Sequence, residues 1–198
     1  YKNTAELIEY IDNNYGHKIG TLRTVTNGTV VPKEEVFEKL SKCNIEITVD
    51  DYREAVPRFN CRFDQLIERL EEYNIKYYIN KAESWIDLAP DTTDYSKLPE
   101  EKLIKHRDSC SQSWEELRDG KIYSCNYAAY ATVAGIAGEQ DLEETYNLEK
   151  FIPEKKKELV EFRLGYTEKG YTNFCKKCRG FTPENSDEVE PALQKALI

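Results

Sequence analysis

The chain has 198 residues, a length that suits one large domain or one domain with a small appendage. Its 37 acidic and 28 basic residues give a net charge of −9, which excludes nonspecific nucleic-acid binding through a basic surface. No apolar run approaches the ~18 residues of a membrane span and nothing reads as a targeting segment, so a cytoplasmic place is expected, with no membrane partner. The chain begins at Tyr1 and contains no Met, which predicts a piece of a longer protein or a sequence lacking some positions.

Residues 3–15 carry Leu7, Ile8, Ile11 and Tyr15 at helical spacing, with Thr4 as the expected N-cap and Gly16 as the stop. His17 reads as a solvated group at the helix end. Ile19 to Val25 is β-rich and ends in the turn cluster Thr26-Asn27-Gly28-Thr29. Pro32 precedes a helix over 33–41, built on Val36, Phe37 and Leu40. Ile45, Ile47 and Val49 alternate as a strand running to Asp50-Asp51. A loop with Pro57 and Cys61 leads to a helix over 62–73, whose stripe is Phe63, Leu66, Ile67, Leu70 and Tyr73. Ile75 to Ile79 reads as the next strand. The repeated helix–strand order predicts an α/β arrangement of parallel strands with helices packed outside, as a half-barrel or an open sheet.

After Trp85 the pattern changes. Residues 89–106 are polar and punctuated by Pro90 and Pro99, which predicts a linker holding a short helix. Arg118-Asp119-Gly120-Lys121 carries the Asp-Gly pair of a tight hairpin, with Ile122-Tyr123 starting the return strand. Asn126 to Gly135 is small and apolar, as in a short buried helix. Pro153 opens a charged helix through 163, with Leu159, Val160 and Phe162 available for packing. Residues 183–198 read as an acidic, weakly helical surface tail.

Four of the six cysteines carry the chemistry. Cys110-x9-Gly120-x4-Cys125 is followed by Cys175-x2-Cys178, and the hairpin between Cys110 and Cys125 carries the second thiol back toward the first. Cys175 and Cys178 on one tight turn can both face one metal. Four thiolates suit structural zinc and a [4Fe–4S] cluster alike, and spacing alone leaves zinc ahead because structural zinc is common. A pair of disulfides is the bland alternative, disfavoured in the reducing compartment implied by thiols without a secretory signal. His106 could replace one thiolate; Cys43 and Cys61 read as free thiols. The strand ends at Thr26-Asn27-Gly28 and Asp50-Asp51 lie where parallel α/β folds place ligands, although ordinary turn chemistry gives the same residues.

Val25-Thr26-Asn27-Gly28-Thr29 after a strand, with later strands ending near Asp50 and Asn80, resembles the second half of the radical S-adenosylmethionine (radical SAM) barrel. The Cys-x9-Gly-x4-Cys…Cys-x2-Cys run is similar to the auxiliary-cluster extensions called SPASM or twitch domains. Lys81-Ala82-Glu83-Ser84-Trp85 and the stretch from Leu117 to Cys125 resemble a bacterial branch of that family, found among glycosyltransferase and surface-polysaccharide genes. The resemblance spans roughly residues 3–182. It implies a partial (β/α) barrel over 1–88, a linker over 89–106, and a small Cys-rich α+β metal-binding domain over 107–182. It implies an auxiliary [4Fe–4S] cluster on Cys110, Cys125, Cys175 and Cys178, which moves the preference from zinc to iron–sulfur. It further implies S-adenosylmethionine near Thr26 and Asn27, with Asp50 lining the same pocket.

The implied activity is radical modification of a small-molecule or peptide substrate, linked to surface glycan or peptide chemistry, with flavodoxin or ferredoxin as electron donor. In it a 5′-deoxyadenosyl radical abstracts hydrogen and the auxiliary cluster transfers electrons or binds substrate. One departure matters. The family's Cys-x3-Cys-x2-Cys run does not occur in this chain, so the chain is expected to be the C-terminal part of such an enzyme and catalytically incomplete, or a descendant whose barrel has degenerated. Two rivals stand beside it: a non-enzymatic α/β protein with a structural four-cysteine zinc site and a protein-interaction role, and a sugar- or nucleotide-binding domain stacking ligand on Trp85 and the Tyr-rich strand. Core packing is the plainer account of those aromatics.

Overall fold

The computed structural model describes residues 3–54, 60–111, 115–136, 144–163 and 169–191. The chain divides into two compact units, Tyr1–Trp85 with Val189–Ile198, and Ile86–Glu188.

The first unit is a mixed α/β layer. Helix α1 (Thr4–Tyr15) and a 3-10 turn at Gly16–Lys18 precede strand β1 (Leu22–Thr26); then follow α2 (Glu34–Leu40), β2 (Ile45–Asp51), α3 (Asn60–Glu72) and β3 (Lys76–Lys81). The three strands form one parallel sheet in the order β1-β2-β3, with Thr24 opposite Ile47 and Ile47 opposite Tyr77. Alternation in β2 decides the layering, because Ile45, Ile47 and Val49 all point into the core. There they meet Phe37 and Leu40 of α2, Phe63, Leu66 and Leu70 of α3, and Ala5 and Ile8 of α1. The sheet's other side carries Arg23, Glu46 and Lys76 in one register row, with Glu46 ion-paired to both cations. Three strands do not make a barrel; closure takes about eight tilted strands. Of the two expected arrangements, half-barrel or open sheet, the described residues show the parallel strands and packed helices as a three-stranded sheet and no barrel.

Several local expectations change. Asn3, not Thr4, occupies the N-cap of α1, and no side chain caps it. Leu7 and Tyr15 are about half exposed while Ala5 and Ile8 are buried. Helix α1 meets its neighbour along a narrow stripe, and Tyr15 pairs edge-to-face with Tyr10 instead. Gly16 does not end the helix in a left-handed residue but continues into the 3-10 turn. Cys61 lies in the first turn of α3 and not in a loop. The loop residue Pro57 lies outside the described residues, as does the end of the tail over 192–198.

The two-stranded pair β4 (Trp85–Ile86) and β8 (Glu188–Val189) marks where the chain enters and leaves the second unit. Helix α4 (Glu100–Ser109) buries Leu103. Strands β5 (Glu116–Arg118) and β6 (Lys121–Tyr123) form the expected hairpin, with Asp119 and Gly120 both at positive φ as an Asp-Gly turn requires. Helix α5 (Asn126–Val133) buries Ala128, Ala129 and Ala131 but exposes Val133. Strand β7 (Thr145–Asn147) adds antiparallel to β6, completing a three-stranded sheet that the sequence did not announce. The charged helix α6 (Lys156–Arg163) follows a 3-10 turn at Pro153–Lys155 and buries Phe162, while Val160 stays exposed. Among the described residues no helix is long and apolar enough to cross a membrane.

Candidate metal centre

Three local structures deliver the four thiols of the second unit. Cys110 is the C-terminal flanking residue of α4. Cys125 is the N-terminal flanking residue of α5, directly after the hairpin. Cys175 lies in the 3-10 helix Asn173–Lys177, and Cys178 is its C-cap. Cys178 belongs to a small apolar cluster with Ala128, Ala131 and Phe174, against which Cys125 also packs. All four are free thiols.

Each sulfur is met by a donor. The Gly180 N–H donates to Cys178 Sγ at 3.3 Å and the Phe181 N–H to Cys110 Sγ at 3.4 Å. The Thr172 hydroxyl lies 3.3 Å from Cys175 Sγ. Backbone N–H groups of Ala128 and Tyr127 favour the thiolate of Cys125. Gly180 is favoured by its backbone, whose φ is +69°, and a Cβ there would stand 3.2 Å from Thr182 Cγ2, beside His106 and Cys110.

Burial is the first cause of the electrostatics. It pushes the Cys125, Cys175 and Cys178 thiols upward, Cys178 to about 12. The four thiols also feel one another. Charge on Cys175 raises Cys125, charge on Cys110 raises Cys175, and the other three all raise Cys178. The Arg107 guanidinium opposes this at Cys125 and Cys175. Four soft donors in one half-buried basin, with N–H groups aimed at sulfur, match in kind what a thiolate-bound metal needs. The sulfurs are gathered but not drawn to bonding distances: among the described residues no group of three or more His, Cys, Asp or Glu side chains stands at metal-binding spacing. His106 is on α4, and its Nε2 lies 2.9 Å from the Cys178 carbonyl oxygen, so that nitrogen is engaged with backbone.

The residues expected to meet S-adenosylmethionine all lie in the first unit. Thr26 ends β1, and the Asn27 side-chain oxygen accepts from the Thr29 N–H at 3.3 Å and the Thr29 hydroxyl at 2.8 Å. These are the contacts of a turn that stabilises itself. Asp50, near the end of β2, accepts from Asn80 Nδ2 at 2.8 Å.

The neighbouring strand end holds a feature that the sequence reading missed. A cavity of about 330 Å³ is lined by Asp51, Arg53, Asn60, Lys81 and Glu83. Arg53 grips Asp51 with two bonds, at 2.8 and 2.7 Å, and Asp64 with a third at 2.9 Å, over the Phe63 ring. The bond from Arg53 holds the Asp51 carboxyl below its ordinary range. The strand-end run Asp50-Asp51-Tyr52-Arg53 was the available signal. Trp85 is exposed and meets Tyr52 edge-to-face at 6.1 Å, as one aromatic pair. The chain matches no protein-family model, and no curated protein matches it.

Proposed function

We propose that Cys110, Cys125, Cys175 and Cys178 hold a [4Fe–4S] cluster that serves electron transfer in S-adenosylmethionine-dependent radical chemistry, the chain being part of such an enzyme. The observation that carries the metal centre is the convergence of four thiols from three elements, with the adjacent N–H groups of Gly180 and Phe181 donating to Cys178 and Cys110. Hydrogen bonds to sulfur and burial are the levers that set an iron–sulfur potential. The cysteine spacing, shared with auxiliary-cluster domains, carries the choice of iron–sulfur. Four protein thiolates leave no open iron, which favours electron transfer over substrate binding.

The work of the protein's own residues follows from their chemistry. The four thiols would hold the metal as thiolates, the cation offsetting the burial that otherwise keeps them protonated. Gly180 and Phe181 direct N–H groups at two sulfurs, and Arg107 offsets part of the thiolate charge. The half-buried setting limits water. When bound, the cluster supplies a one-electron donor and acceptor. Substrate class, S-adenosylmethionine near Thr26, Asn27 and Asp50, and a flavodoxin- or ferredoxin-type donor belong to the same proposal.

A second reading is structural zinc on the same four thiols, favoured by how small the apolar cluster around them is. Metal and acid-labile sulfide content after oxygen-free reconstitution separates the two. Four irons with four sulfides is the expected result. One zinc without sulfide would move the assignment to a structural site, and a metal-free protein would sink both.

A further inference from the structure

A cavity of about 600 Å³ opens in the second unit, lined by Tyr95, Leu98, His106, Arg179, Glu184 and Asp187 among others. Its volume is that of a small-molecule site. Asn185 also lines it, and the donors of this wall are largely spent on the wall itself. Asn185 Nδ2 donates to the Asp87 carbonyl at 3.0 Å and the Gly180 carbonyl at 2.8 Å. His106 Nε2 is engaged with the Cys178 carbonyl, and Arg179 is ion-paired with Asp187. Glu184 is exposed and has no ion-pair partner among the described residues. The lining thus carries one arginine, already paired with Asp187, and a second carboxylate, so the surplus is of negative charge.

An alkyl-ammonium complements that surplus: it brings three donors and a positive charge and accepts nothing. The Tyr95 ring, which meets His106 edge-to-face at a centroid separation of 5.4 Å, supplies aromatic surface for a cation. Leu98 gives its alkyl stem apolar surface. The chain's net charge of −9 draws cations inward. We propose that this cavity binds a primary alkyl-ammonium ligand, of the lysine side-chain type, with Glu184 as its counter-charge. The inference goes beyond the metal centre and does not depend on it, since no thiol is used.

Calorimetric titration of the full chain with Nα-acetyl-lysinamide, and with the uncharged isostere Nα-acetyl-norleucinamide, tests it. The lysine derivative should bind at least about tenfold more tightly than its isostere. Glu184→Gln, an exposed change that leaves the core untouched, should weaken only the lysine derivative, by about three- to tenfold. Metal content measured on the same samples should be equal in both proteins. Equal affinity for the two ligands, binding of neither, or indifference to Glu184→Gln would each overturn the proposal. Binding by a metal-free wild-type protein would uphold it while the metal reading failed.

Discussion

Around β2 the first unit gathers eleven buried apolar residues among those described, from Ala5 to Ile75, with Val49 and Leu70 sealed completely. In the second unit Cys178 sits in a smaller cluster among the described residues, with Ala128, Ala131 and Phe174, and Cys125 packs against it. Burial at about 25 cal/mol per Å² stabilises the first arrangement without help. The second has little apolar area around its thiols, and metal binding can supply what hydrophobic burial does not. The difference is between a core built on side-chain volume and a set of thiols for which the proposed metal would supply the stabilisation.

The sharpest way to break this contrast is to remove a thiol. Cys178→Ala should abolish metal binding and lower the melting transition of the second unit, while that of the first stays in place; a metal-loaded variant would refute the four-thiol site. Calorimetry with metal analysis reads both. Next comes Leu70→Ala, which empties a fully buried site in the first unit and should cost about 2–5 kcal/mol there. Metal content should not move, and a loss of metal would show that the two cores are not independent. Gly180→Ala forces a side chain into the left-handed region beside Cys110 and His106, at a cost of about 1–2 kcal/mol. It should weaken metal retention without abolishing it, as competition with a chelator would show.

A further test is in pH. Burial raises the Cys178 thiol from 9.0 to about 12, so its protonated form is favoured in the metal-free fold. Its contribution to stability is complete below about 9 and is lost as pH rises toward 12, so metal-free protein should soften across that window. Metal uptake runs the other way, because each thiolate must shed a proton. Affinity should rise with pH between 6 and 8, by up to about tenfold per unit for each proton released. A flat chelator-competition profile would place the metal elsewhere.

Much of the first unit was legible because its signals are periodic. The alternation of Ile45, Ile47 and Val49 and the stripe Phe63, Leu66 and Leu70 each specify a face without outside information. The Asp119-Gly120 hairpin was legible through turn chemistry. Strand β7 was not, since Thr145-Tyr146-Asn147 is three residues long and only Tyr146 is buried. Helix α1 was oriented by its larger side chains, whereas packing selected the smaller Ala5 beside Ile8. Spacing singled out the four cysteines as candidates, whereas the cavity lined by Tyr95, Arg179 and Glu184 joins residues some ninety positions apart and had no local pattern to reveal it.

The charged row Arg23–Glu46–Lys76 has a consequence for how β1, β2 and β3 find their alignment. Parallel strands without hairpin connections gain no pairing instruction from a turn. Glu46, tied to a cation on each side, supplies one. Sliding β3 by a single residue would set Tyr77 against Glu46 and carry Lys76 toward the layer occupied by Ile47 and Phe63. One carboxylate on the polar side of the sheet thereby acts as an alignment pin for the apolar side.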